Sequence, residues 1–239
     1  MEFAYDLSGG STAIVKKYQV AATNTTIGRP YLKAASSGSG VVLATVSGAV
    51  DYVGVNIDAA GTYVTAQQSD NSDTARLTSL IINPLAVYRA RLCGGAANEA
   101  LSAGTVTSAS TDGLSVTTSA FDPNSPDLDE GTIWGYSGAN AGKARKITST
   151  AANVATVTVA FPYDTAVGDQ FLYANLYPGG SILAQFGTDM TTIDATAALS
   201  GDATVVTIEM ILNDIAGNGT TESYALIQFA DSIFGATIT

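Results

Sequence analysis

The chain has 239 residues, enough for one large or two modest domains with a real core, and charged side chains make up only 13% of it, well below the usual quarter. Asp and Glu total 21 against 10 Lys and Arg, and a net charge of −11 repels phosphate backbones, which argues against DNA or RNA as a partner. There is no histidine, the commonest general base and metal ligand, and a single cysteine, Cys93, which excludes an internal disulfide.

Thr, Ser, Ala, Val and Gly fill the space left by the missing charges. β-Branched side chains suit a pleated sheet and glycines suit tight turns, so the composition predicts an all-β protein. The opening MEFAYDLSGG lacks the basic and apolar regions of a secretory signal. No apolar run approaches the length of a membrane span; TVVTIEMILNDIA carries Glu209 and Asp214. The expectation is a chain made in a cytoplasm, with no membrane partner.

In chain order, residues 1–10 read as an arm: Met1, Glu2, Phe3, Ala4, Tyr5, Asp6 and Leu7 precede SGGST, a flexible joint. Pro30 cannot donate to a ladder, so the strand within Ile27–Ala34 should lie at an edge or start after the proline. Val53, Val55 and Ile57 share one face of the next pattern, and Gly54 between them marks a bulge or a close backbone approach. ARLTSLIINP is a further strand, ended by Pro84.

Tyr88–Gly95 and Tyr173–Gly180 each open on Tyr and close on Gly-Gly, and read as the exit and return strands of one insertion. The division expected from them is a core β domain of residues 1–95 plus 173–239, a β-barrel or β-sandwich, carrying an inserted small β-barrel module over 96–172. Within the insert, Gly131–Gly180 reads as four short strands with turns at SGANAG and TAAN, which should close into a small barrel. Ala155, Val157, Val159 and Phe161 alternate on one face, and QFLYANLY is apolar on both, as a central strand would be. In TVVTIEMIL, Val206, Ile208, Met210 and Leu212 alternate, which predicts a strand; GNG at 217–219 then turns into a return strand, Tyr224–Phe229.

Few residues could carry chemistry. Asp122, Asp127, Asp129 and Glu130 form an acidic loop that lacks the spacing of a calcium-binding loop and reads as solvated surface. Serines and threonines have no histidine to activate them, and the glycine-rich turns precede no helix, so no phosphate loop is expected. Cys93 reads as a small buried apolar residue rather than a reactive thiol. No catalytic, cofactor-binding or metal-binding residue is therefore assigned, and no cofactor is expected. Trp134 and Tyr136, near Glu130, are a candidate glycan platform, although alternating aromatics are more often core or interface. The lysines and arginines cluster at Lys16–Lys17, Arg29–Lys33, Arg89–Arg91 and Lys143–Lys146. Arg89 and Arg91 fall on one face of a strand and are candidate contacts for an acidic neighbour, another copy of the chain included.

GVVLATV at 40–46 with DYVGVNI at 51–57 resembles the opening barrel of tailed-phage capsid decoration (cement) proteins. Gly142, Arg145, Ile147 and Thr148, followed by the AVGD turn at 166–169, resemble a β-module of phage virion proteins. The resemblance covers about a third of the chain, and neither motif is catalytic. It implies a non-enzymatic virion protein on the capsid exterior, bound to the major capsid protein and itself a homotrimer, with the inserted module as an outward knob. In that setting Met1–Leu7 is the candidate for strand addition to a neighbour's sheet. A carbohydrate- or receptor-binding virion module is the alternative, with Trp134 and Tyr136 as its platform. A barrel hydrolase using carboxylates such as Glu130 is a third reading.

Overall fold

A computed structural model describes residues 1–7, 13–20, 27, 30–33, 40–43, 52–57, 61–63, 75–83, 85–94, 101, 103–119, 128–186, 191–196, 203–212 and 223–230. The fold is all-β. The strands are β1 (Glu2–Asp6), β2 (Val15–Val20), β3 (Pro30–Lys33), β4 (Gly40–Leu43), β5 (Tyr52–Asn56), β6 (Gly61–Tyr63), β7 (Ala75–Ile81), β8 (Ala86–Cys93) and β9 (Ala103–Ser108). They continue as β10 (Ser115–Thr118), β11 (Thr132–Gly135), β12 (Ala144–Ala151), β13 (Val154–Val157), β14 (Gln170–Ala174), β15 (Ser181–Phe186), β16 (Thr192–Asp194), β17 (Ala203–Ile211) and β18 (Tyr224–Phe229).

Each of the three sheets closes on itself, which removes most of the open edges that invite aggregation. In the first, β2, β4, β3, β5 and β7 pair in that order and β7 returns to β2, with β6 added beside β7. Pro30 is the first residue of β3, where its missing N–H costs least. In the second, β9 to β14 form a closed antiparallel barrel in the order β10-β13-β12-β11-β14-β9. In the third, β8, β16, β15, β17 and β18 pair in turn and β18 returns to β8. The barrel sits in the chain between β8 and β15, and so interrupts this third ring. The expected core segments thus hold two rings, one from residues 15–81 and one built around β8.

The four strands expected in Gly131–Gly180 are β11 to β14, and they close into the barrel with β9 and β10. TAAN makes the β12–β13 hairpin with both central residues, Ala152 and Asn153, at positive φ. Strand β13 ends at Val157, earlier than the alternation predicts. Thr158 N still donates to Lys146 O and Phe161 N to Gly113 O, while the bend at 158–159 leaves Val159 61% exposed. Ile57 likewise falls just past β5 and is exposed, unlike Val53 and Val55.

Strand β14 explains its own composition. Phe171 and Tyr173 point into the barrel with Val106, Val116, Ile133 and Ile147. Leu172 and Ala174 point outward into a second core with Tyr88, Leu92, Leu101 and Leu176. A strand that lines two cores must be apolar on both faces. The expected return strand Tyr173–Gly180 is accordingly divided: its first two residues finish β14, and Pro178–Gly180 lie in the turn before β15.

Strand β17 forms as expected, but ahead of its bulge the buried face is not the one the hydrophobicity marks. Past the bulge, Leu212 of the expected face is buried and Met210 packs against the same core. Val205 and Thr207 are buried at 0% and 1%, whereas Val206, Ile208 and Met210 are half-buried. The β17–β18 register shifts between Thr207 and Glu209, and this bulge breaks a strict two-residue period.

Candidate functional site

Two places gather the residues singled out in the sequence. The first is strand β1. Rather than extending as a free arm, it lies in its own chain's sheet, antiparallel to β8, with Glu2 opposite Arg89 and Asp6 opposite Ala86. The reason is geometric. β16 occupies the same edge of β8 only from Arg91 to Cys93, which leaves residues 86–89 open for β1. Phe3 packs edge-on to Tyr88 at 6.3 Å, and Asp6, buried, accepts a hydrogen bond of 2.9 Å from Asn83 Nδ2. Asn83 Oδ1 in turn accepts from Ile14 N, and Leu7 N donates to Leu85 O. The terminal amine of Met1 donates to Thr191 O at 3.1 Å. Glu2 and Ala4 are exposed, Phe3 and Tyr5 half-buried, and Leu7 exposed.

Arg89 and Arg91 do share a face of β8. Arg89 stacks over the Tyr224 ring at 4.2 Å and stands 3.9 Å from Glu2. Both members of that ion pair are well exposed, so it is worth about 0–1 kcal/mol at most. Arg91 Nε is buried without a hydrogen-bond partner among the described residues.

The second place is a cleft of about 770 Å³ where the barrel meets the third ring. Strand β11 builds one wall. Ile133 turns into the barrel core, so Thr132, Trp134 and Tyr136 face outward, and Trp134 and Tyr136 pack against the neighbouring core. Their rings meet edge-on at 5.9 Å, and only Trp134 lines the cleft. Thr132 Oγ1 donates to Leu176 O, which ties β11 to the segment leading into β15. Cross-strand pairing then sets Lys146 beside Thr132 and Ala144 beside Trp134. Arg145 lies with its guanidinium 5.2 Å from the Phe161 ring, donating from Nε to Ala160 O and from Nη1 to Ala144 O. Tyr177 and Pro178, then Met210 of β17 and Leu212 just past it, complete the opposite side.

Lys146 is the hinge of the local electrostatics. Its ammonium pairs with Glu130 and sits 5.3 Å from the Tyr177 ring centroid, within cation–π range. Glu130 occupies a left-handed backbone conformation, φ 67°, in the turn that brings Gly131 back to Ile147. Asp129 accepts hydrogen bonds from the Thr150 N–H at 2.6 Å and the Thr150 hydroxyl at 3.0 Å. Asp122 and Asp127 lie outside the described residues. Among the described residues, no group of three or more His, Cys, Asp or Glu side chains converges as a metal site would require.

Cys93 is fully buried, with Sγ 3.4 Å from both Thr192 Oγ1 and Ile193 O, the environment of a structural thiol. Trp134 and the cations of β12 were legible in sequence, but Tyr177, Pro178, Met210 and Leu212 were not. They come from segments distant along the chain, and only closure of the third ring brings them to the barrel wall. No family model, curated protein or solved structure matches this chain.

Proposed function

We propose that this chain is a virion structural protein that binds and stabilises an assembled capsid lattice, as a homotrimer on the shell exterior with the major capsid protein as its partner. The observation that carries this reading is strand β1. It ends the order of its sheet, and among the described residues no strand pairs along its outer edge at Glu2–Tyr5. Such an edge is a template onto which a strand from a neighbouring chain can add. Threefold repetition multiplies each weak contact through avidity. The sequence resemblance to decoration proteins points the same way.

The test is co-sedimentation with empty tailed-phage shells, together with light scattering. The chain is expected to scatter as a trimer and to pellet with a shell. Ala4→Lys, at an exposed position in the irregular part of the β1–β8 register, should block edge pairing and leave the protein in the supernatant with its melting temperature unchanged. Deleting residues 1–7 should cost both binding and stability, because Phe3 then leaves Tyr88. A monomer that ignores every shell overturns the proposal.

The second reading, a carbohydrate- or receptor-binding module, is favoured by one observation: Trp134 lines a cleft instead of being sealed in a core.

A further inference from the structure

We infer that the cleft between the barrel and the third ring is a binding site for a saccharide bearing a carboxylate, such as a run of uronic acid residues. The inference rests on reading the cleft as a ligand site and is independent of capsid binding.

A pyranose ring is amphipathic, with C–H groups on its faces and hydroxyls around its rim. The cleft has the complementary pattern. Trp134, Tyr177, Pro178 and Met210 give it apolar and aromatic walls, and Thr158 and two cations give it polar points. A volume of about 770 Å³ lies in the range of ligand clefts, which are mostly apolar with a few placed polar groups.

The preference for a carboxylate comes from Arg145 and Lys146. A guanidinium has five N–H donors, and the structure shows Arg145 using two, on the Ala160 and Ala144 carbonyls. The remaining fork can take a carboxylate in two parallel hydrogen bonds. Lys146 has three donors, and among the described residues it pairs with Glu130, whose side chain is 65% exposed. Arg145 and Lys146 leave opposite faces of β12, Arg145 toward Phe161 and Lys146 toward Tyr177, and both still border the cleft. In a chain of net charge −11, such cations are where an anion would be recognised locally while being repelled elsewhere.

Trp134 is the only tryptophan in the chain, so its emission reports on the cleft alone. The experiment titrates the full chain with oligomers of galacturonic, mannuronic and sialic acid, and with neutral gluco-oligosaccharides of equal length, following Trp134 fluorescence and checking by calorimetry. At least one acidic oligomer is expected to give a saturable change at a dissociation constant tenfold or more below that of the neutral one. Arg145→Gln should weaken it by about tenfold, whereas Glu130→Gln should tighten it severalfold by releasing Lys146 and removing a nearby negative charge. Arg89→Gln, away from the cleft, should leave binding unchanged. Equal binding of neutral and acidic oligomers would overturn the carboxylate preference while keeping a sugar site. Silence from every oligomer, or tighter binding of poly-glutamate than of any sugar, would overturn both the inference and the carbohydrate reading.

Discussion

Single residues carry constraints that can be tested one at a time. Gly54 faces the Ile81 carbonyl and Leu80 so closely that no side chain fits, which is the close approach that a glycine inside an apolar strand implies. Gly54→Ala should therefore force β5 away from β7 and cost about 1–3 kcal/mol of stability, read as a lowered midpoint in urea denaturation with unchanged slope. Asp112, in the turn between β9 and β10, accepts hydrogen bonds from the Ser110 hydroxyl at 2.7 Å and the Leu114 N–H at 2.8 Å, and from Ser115. These bonds, that of Ser110 foremost, hold its carboxyl below the ordinary 3.8. A carboxyl depressed on folding adds stability above its unfolded value and loses it as pH falls through the folded one. Comparing wild type with Asp112→Asn, the difference in melting temperature should be present at pH 6 and diminish as the pH falls below 3.8. An unchanged difference across that range would show that the carboxylate's charge plays no part.

At the scale of elements, strand existence was readable and strand facing was less so. Alternation marked β13 and β17, and the GNG turn at 217–219 marked β18 as the return strand. The alternation overran β13 at Val159 and misplaced the buried face of β17 ahead of its bulge, since a bend and a bulge obey local hydrogen bonding that a two-residue period does not encode. β14 was legible for the opposite reason: its unbroken apolar run reports two cores, although the sequence does not say which. Truncating each face tests this. Phe171→Ala removes contacts inside the barrel and Leu172→Ala removes contacts outside it. Each is expected to cost about 2–5 kcal/mol. Leu172→Ala should also disturb the cleft and shift Trp134 emission, because Trp134 packs against the same outer core. Of the cleft itself, the sequence showed the aromatic and cationic half contributed by β11 and β12. The half from Tyr177, Pro178, Met210 and Leu212 was hidden, because nothing local links those residues to a barrel wall.

At the scale of the molecule, the barrel and the ring around β8 share one continuous apolar core through Leu172, Ala174 and Leu176, and Val55 and Ile81 of the first ring belong to the same cluster. The parts are therefore expected to melt together. Trp134 fluorescence, which watches the junction, should superimpose on far-ultraviolet circular dichroism through the thermal transition. Two separated transitions would mean that the shared core contributes little to cohesion.

The interrupted ring also dictates an order of events during folding. The first ring draws on residues 15–81 and the barrel on 103–174, so each can zip up from segments that are near neighbours along the chain. The ring around β8 draws on strands on both sides of the barrel and must await β18, paying the loop-closure entropy of the whole insert before its last ladder forms. Pulse-labelled hydrogen exchange during refolding should find the amides of β12 protected well before those of β8 and β18. Until that final ladder locks, β8 carries an unfilled seam on the side where β18 will pair. A chain released early would be most prone to stick to its neighbours there.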